Sequence, residues 1–530
     1  MSSTNRDPRR PTTRRAAESS RRRPRPVGRG GASRPRCRAA RGGERARPGR
    51  SGPVPSEERG RRPNLLRKPD RRLDGRQLKL RPKQVCHFQQ TLCLNRRGWM
   101  LDLESVDLDT GKHESHTPSN RTAHCRFCQT KLSNVFVDLG LSPLANSYLT
   151  EKDLSKNEPF FPLKVFVCDE CFLVQLEEWE APENIFSDYA YFSSYSESWL
   201  RHARDYVEAM TARFGIDQTS HVVEIASNDG YLLQYFVEKG TPVLGIEPAQ
   251  NVAAVARSRG IPTRVEFFGQ RTARALRREG LEADLLIGNN VLAHVPDLND
   301  FVSGLRTLLK PQGVLTMEFP HLLRLYDERQ IDTIYHEHFS YFSLIAVEKV
   351  FAAHGLTVFD VEEVPTHGGS LRIFAQNAKT GQQPISARLG ELRDREIKAG
   401  LSDIRTYLTF AEQATQIKRR LRDFLVEVNR AGKRVVGYGA PAKGNTLLNF
   451  CDVDATLVEY TVDRNPYKQG RFLPGTHIPI YEPERISVTK PDYILILPWN
   501  LKDEIIEQLS FTREWGCQFI IPIPDPQVVP

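Results

Sequence analysis

The run HVVEIASNDGYLLQYF, His221 to Phe236, constrains the fold more than any other stretch. An apolar strand ends at Glu224 to Ala226, a turn passes through Ser227, Asn228, Asp229 and Gly230, and an amphipathic helix follows. Seventeen residues beyond Gly230, PVLGIEPA closes a second strand on Glu247. ADLLIGNNVLAHVPDL reads as a fourth strand and LLKPQGVLTMEFP as a fifth, the latter preceded by a Pro-Gly turn. Short apolar strands alternating with helical stretches predict a parallel sheet with crossover helices. A turn of small residues lets a ligand approach the backbone and the helix N-terminus, and an acid at the next strand end can accept both hydroxyls of a ribose. A plain packing turn has the same local look.

The turn reads A-x-N-x-G in place of G-x-G-x-x-G, with no glycine trio to cradle a pyrophosphate, so the strand order suits a class I S-adenosylmethionine fold better than a dinucleotide fold. Upstream, CRFCQT and CDECFL carry Cys125, Cys128, Cys168 and Cys171, two C-x2-C pairs separated by 39 residues. Two residues between cysteines let both thiolates reach one tetrahedral ion, and four thiolates close its coordination sphere. A structural zinc is expected. Cys37, Cys86, Cys93, Cys451 and Cys517 stand alone and are read as inert.

Charge divides the chain. Residues 1 to 100 hold 30 Lys/Arg against 7 Asp/Glu, so the overall +10 belongs to the N-terminus and the remainder is mildly acidic. That Arg-, Pro- and Gly-rich start has too few large apolar residues for a core and reads as disordered. It is either an arm attracted to RNA or membranes, or a dispensable extension upstream of a start at Met100. The acidic body gives no reason to expect nucleic acid there. With neither a secretory signal nor about 18 consecutive apolar residues, the expectation is a cytoplasmic protein without membrane contact, a monomer or weak oligomer. The expected organisation is a disordered extension over 1–120, a zinc-binding domain over 121–185, an α/β domain over 186–390 and a second α/β domain over 391–530. Residues Leu389 to Gly432 read as one long polar helix leading into the last block.

VVEIASNDGYLL, GIEPA, NNVLAHV, DTIYHEHFSYFSL, THGGSLR and GYGAPAKGNTLLNF occur in one order along the chain. Together with the cysteine pairs they make everything from about Cys125 onward resemble the sugar C-methyltransferases of antibiotic deoxysugar biosynthesis. The resemblance implies an S-adenosylmethionine-dependent class I Rossmann-like domain flanked by a zinc domain and a second Rossmann-like domain. Its substrate would be a dTDP-linked 4-keto-6-deoxysugar, methylated at a carbon next to the ketone through proton abstraction and an enolate. It places the cofactor on Ala226, Ser227, Asn228, Gly230, Glu247, Asn289 and Asn290. His338 becomes the base, a role imidazole suits because it titrates near neutrality, with Tyr335 and Glu337 beside it and Tyr189 and His294 as pocket residues. His367, Gly368 and Ser370 would line the sugar pocket, and Lys443, Asn445 and Asn500 the nucleotide end.

His336 receives no role, and HEH lacks the H-E-x-x-H spacing of a helical metal site. GYGAPAKGNT offers Gly437, Gly439 and Gly444 for close backbone approach but is no G-x-x-x-x-G-K-[ST] loop, which argues against ATP hydrolysis. Two other functions stay open at this level. One is an O- or N-methyltransferase of the same fold acting on another small molecule. The other is a zinc-dependent RNA-binding protein without catalysis.

Overall fold

The computed structural model describes residues 123–181 and 192–530. The basic N-terminal segment and Tyr189, for which a pocket role was expected, lie outside them.

Three strands, β1 (Asn134–Ser142), β2 (Phe161–Val167) and β3 (Val174–Leu176), form an antiparallel sheet beside the cysteine pairs. The next five build the parallel body: β4 (Val222–Ile225), β5 (Val243–Ile246), β6 (Thr263–Arg264), β7 (Ala283–Asn289) and β8 (Leu309–Pro320). Every residue of β4 and β5 is buried, the mark of parallel strands covered by helices on both faces. β8 begins before its Pro-Gly segment rather than after it. Its pairing with β7 jumps from Leu309 to Val314, so Lys310 to Gly313 bulge out of the ladder.

β9 (Ser340–Tyr341) leaves this body and pairs antiparallel with β3, so the run around His338 is stitched into the cysteine-bearing sheet. β10 (Leu356–Val364) and β11 (Ser370–Asn377) return as an antiparallel hairpin onto β8. The seven-stranded order is β10-β11-β8-β7-β4-β5-β6. Strand order reverses between β4 and β7, and ligands of open α/β sheets bind outside the carboxyl ends of strands at such a switch point.

The single long helix expected over Leu389 to Gly432 is three helices, Ala387–Lys398, Ile404–Tyr407 and Phe410–Arg430. Gly400 ends the first turnwise run with φ of 87°, and the Asp403 carboxylate then caps the Arg405 N–H at 3.0 Å. Both are ordinary helix punctuation that the apolar periodicity masks. The last helix buries Phe410, Ala414, Ile417, Leu421 and Leu425, and Phe410 stacks on Phe136 of β1 at 4.5 Å. A single apolar core therefore runs from the small sheet into the C-terminal block. There β12 (Val435–Tyr438), β13 (Thr461–Val462), β14 (Ile480–Tyr481), β15 (Tyr493–Ile496), β16 (Gln518–Ile521) and β17 (Gln527–Val529) form a second Rossmann-like sheet, parallel except for β17. Among the described residues, no helix is long and apolar enough to cross a membrane.

Candidate active site and thiolate tetrad

Cys125, Cys128, Cys168 and Cys171 come together with all sulfurs within 4.8 Å of one another. The two knuckles are built alike. Gln129 and Phe172, each just past a second cysteine, take positive φ, and their N–H groups donate to the carbonyls of Cys125 and Cys168 at 2.9 and 3.0 Å. Sulfur pairs lie at 3.5, 3.6 and 3.7 Å. A tetrahedron with zinc–sulfur bonds near 2.3 Å requires about 3.8 Å between sulfurs, so the donor set fits the ion. Gln175 Nε2 donates to Cys125 Sγ at 3.2 Å, a supporting contact outside the ligands.

Residues at the strand ends of both Rossmann-like sheets and the loop after β1 line one cavity of about 980 Å³. After β4, Ala226, Asn228 and Gly230 all take positive φ. Gly230 combines a φ of 78° with a site where a Cβ would stand 2.2 Å from Ile261 Cδ1, so both backbone and packing favour glycine there. Glu247 ties this loop down: Oε2 accepts from the Asn228 N–H at 2.9 Å and Oε1 from the Ala249 N–H at 2.8 Å. Burial lifts its pKa to about 7 against those two hydrogen bonds. Each oxygen keeps a second lone pair for a ligand hydroxyl. Asn289, at the end of β7, is buried with neither amide atom paired among the described residues, and it lines the same cavity. An acid after β5 and an unpaired amide at the end of β7, on either side of the β4 loop, suit a ribose-bearing cofactor.

Across the cavity stands the histidine run. His338 Nδ1 lies 2.8 Å from the Thr333 carbonyl, which can only accept, so the proton sits on Nδ1 and the lone pair on Nε2. Tyr335 Oη, 2.7 Å from Nε2, is therefore the donor in that contact. Burial holds the ring well below its ordinary pKa, and the neighbouring His294 adds to the effect. The two imidazoles meet edge-to-face at 4.7 Å, and burial also brings His294 down to about 4. Glu337 Oε1 accepts from Asn146 Nδ2 at 2.6 Å while Oε2 is buried without a partner among the described residues, and burial raises the carboxyl to about 7. His336 turns away, its Nε2 donating to the Pro162 carbonyl at 3.3 Å and its ring edge-on to Phe161.

The C-terminal sheet closes the far side. Lys443 Nζ donates to the His367 carbonyl at 2.8 Å and lies 5.6 Å from the Trp499 ring centroid. Trp499 Nε1 donates to Asp332 at 2.6 Å, and Asn290 Nδ2 stands 2.9 Å from His367 Nε2. Asn500 lines the cavity too.

Of the expected site residues, Ala226, Asn228, Glu247, Asn289, Asn290, His294, Tyr335, Glu337, His338, His367, Lys443 and Asn500 share this cavity. Others do not line it. Ser227 is fully buried behind the loop; Gly230 packs on Ile261; Gly368 gives its carbonyl to Gln330; and the Ser370 hydroxyl donates to Thr366. Asn445 is buried with Nδ2 donating to the Ala145 carbonyl at 2.6 Å.

Several cavity residues were missed. Glu266, just past β6, follows the same strand-end logic as Glu247. His202 lines the wall and meets Glu318 of β8 at 3.1 Å. Burial would raise Glu318, yet hydrogen bonding to His202 and the charge of Arg372 hold it at about 2. Asn146 and Tyr148 reach in from the loop after β1, with no local signal in the sequence to announce them.

Strand order and strand-end acids define the class, a Rossmann-like methyltransferase fused to a zinc-binding sheet. Three family models match in succession: “Putative zinc binding domain” over residues 125–186, “Methyltransferase domain” over 199–361 and “C-methyltransferase C-terminal domain” over 365–524. The C-methyltransferase NovU of Streptomyces niveus is 37% identical over 406 residues, which span 76% of this chain and 96% of that protein. The chain belongs to this family of S-adenosylmethionine-dependent C-methyltransferases. A ubiquinone biosynthesis O-methyltransferase of Bartonella tribocorum is 26% identical over 146 residues, 26% of this chain and 57% of that enzyme. Among solved structures, magnesium protoporphyrin IX methyltransferase of Synechocystis PCC 6803 with bound SAH covers 33% of this chain and 82% of its own at 16% identity, with a TM-score of 0.28.

Proposed function

We propose that the enzyme methylates a carbon next to the ketone of a nucleotide-linked 4-keto-6-deoxysugar, dTDP-linked as the family resemblance implies, by proton abstraction and an enolate. The observation that carries this reading is the fixed tautomer of His338, which presents a lone pair at Nε2 inside the cavity that also holds the cofactor loop.

S-adenosylmethionine supplies the electrophilic methyl group when bound, on Ala226, Asn228, Glu247 and Asn289. Carbon beside a ketone becomes nucleophilic only when its proton leaves, so the protein must supply a base and a donor for the enolate oxygen. His338 Nε2 takes the proton. The Tyr335 hydroxyl, released from Nε2, turns to the enolate oxygen. Glu337 Oε2, held by the Asn146 contact on its other oxygen, receives a sugar hydroxyl or amino group, and His294 shapes the same end of the pocket. Lys443 and Asn500 face the diphosphate end, with lysine acting as a point charge. The fully thiolate zinc site has no open position and serves structure. A cavity near 980 Å³ lies at the top of the range for a single small-molecule site, which leaves room for cofactor and sugar nucleotide together.

The test is deuterium wash-in. The enzyme is incubated in heavy water with a dTDP-4-keto-6-deoxysugar and S-adenosylhomocysteine in place of the methyl donor. One proton next to the ketone should exchange, and His338→Ala should abolish the exchange. Exchange of equal rate in wild type and variant removes His338 from the base role, and no exchange with any keto-sugar points to oxygen or nitrogen methylation instead.

A further inference from the structure

We propose that Arg126, inside the first cysteine knuckle, is a positioning residue that clamps the two loops carrying His294 and His338 to the thiolate tetrad. The inference rests on the reading of His338 as the base, but the contacts behind it are independent of that reading.

Arg126 occupies the first position between Cys125 and Cys128, and its side chain points away from the sulfurs into the enzyme. Nη1 donates to the Pro296 carbonyl at 2.8 Å, two residues beyond His294. Nη2 donates to the Leu176 carbonyl at the end of β3. The guanidinium also lies over Phe339, with its carbon 5.5 Å from the ring centroid, and Phe339 follows His338 directly. Leu176 completes the link, since its N–H donates to the Phe339 carbonyl at 3.0 Å. On the other side of the knuckle, Asn299 Nδ2 donates to the Arg126 and Phe127 carbonyls at 3.2 and 3.0 Å. The segment from His294 to Asn299 is thus gripped by one side chain and two main-chain carbonyls of the same knuckle.

One planar cation joins three elements that share no covalent neighbourhood: the loop after β7, the end of β3 and the histidine run. A guanidinium presents donors in a fixed fork, whereas an ammonium is a single point that satisfies one such direction well. The histidine pair depends on that geometry, because His294 and His338 approach only through these loops, at 4.7 Å between ring centroids. Misplacing a reacting group by about 1 Å costs on the order of a hundredfold in rate. Arg126 does not line the cavity, so it acts on the histidines through the loops that carry them.

The experiment uses the full-length, zinc-loaded enzyme and the variants Arg126→Lys and Arg126→Ala. Zinc content is measured by metal analysis, and the imidazole resonances of His294 and His338 are followed by nitrogen-15 NMR without ligands. The expected result is one zinc per chain in both variants, displaced resonances of both rings, kcat lower by about 10- to 100-fold and KM values within about threefold. Guanidinium ion added to Arg126→Ala should restore part of kcat and should do nothing for wild type. Unmoved ring resonances with zinc retained would overturn the proposal. So would a loss of kcat in Arg126→Lys that tracks loss of zinc. Rings that move while turnover and proton exchange stay unchanged support the clamp and remove His338 from the base role, so the two failures are distinguishable.

Discussion

Tyr335 Oη stands 2.7 Å from His338 Nε2 while the Thr333 carbonyl accepts from the opposite ring nitrogen, so one imidazole is held between a fixed acceptor and a fixed donor. A donor to the lone pair favours the neutral ring. Tyr335→Phe should therefore raise the lowered His338 pKa and move the acid limb of kcat/KM to higher pH. The same variant should lower the kcat plateau by about 10- to 100-fold, as loss of a proton-handling partner does. A pH profile with an unshifted acid limb would separate Tyr335 from the base.

Glu337 predicts a pH dependence of stability with a definite sign. Its pKa rises from an ordinary 4.5 to about 7 on burial, so between those values the folded chain binds more protons than the unfolded one. Its contribution to stability is complete below about pH 4.5 and is lost as pH rises through about 7. Glu337→Gln should gain stability relative to wild type between pH 5 and 7.5, by up to about 3 kcal/mol. Paired thermal melts across that range check it, and a constant difference in melting temperature refutes it.

Asn445 and Lys443 lie on the same helix, Ala442–Phe450, two residues apart. Positions i and i+2 of a helix face different sides. Lys443 looks into the cavity, whereas Asn445 donates to Ala145 in the interior. Asn445→Ala should lower thermal stability by the roughly 1–3 kcal/mol of a lost buried hydrogen bond, with the KM for sugar nucleotide unchanged. Lys443→Ala should do the opposite, raising that KM about tenfold or more with a small change in melting temperature.

Glu247→Ala removes both the acceptor for two loop amides and the acid at the end of β5. Calorimetry should show at least a tenfold weaker affinity for S-adenosylhomocysteine, since one hydrogen bond to a charged group contributes about 1.5–3 kcal/mol. Unchanged affinity would place the ribose elsewhere.

Cys168→Ser opens the tetrad. The zinc content should fall from one ion per chain to none, and the melting temperature should drop, because metal binding energy of a structural site is folding energy. The histidine run should loosen with it, seen as faster amide exchange at Phe339 to Tyr341, since β9 is hydrogen-bonded to β3.

The cofactor side of the fold was legible because its signals are local. Strand, turn and acid at 222–247 lie within one short stretch, and the two C-x2-C pairs each declare themselves within four residues. The substrate side was legible only in part. Residue type and motif position brought forward Lys443 and Asn500, which line the cavity, and equally Asn445 and Ser370, whose helix phase and strand start point them inward. Asn146, held against Glu337 across 191 positions, is visible only once the chain is folded. The break at Gly400 was readable from glycine and the Ser-Asp that follows, but the apolar spacing continued across it and won.

Strand β9 also sets an order of events during synthesis. Gln175 of β3 waits for Ser340, 165 positions later, before its edge is covered. The cysteine knuckles leave the ribosome early and can take their ion at once, but their sheet remains one strand short until the whole parallel body has emerged. Contacts of such long sequence separation form late. An unpaired strand edge is a place where nascent chains associate wrongly, so the hazard for this enzyme is concentrated in that interval, and slowing translation between β3 and β9 would lengthen it.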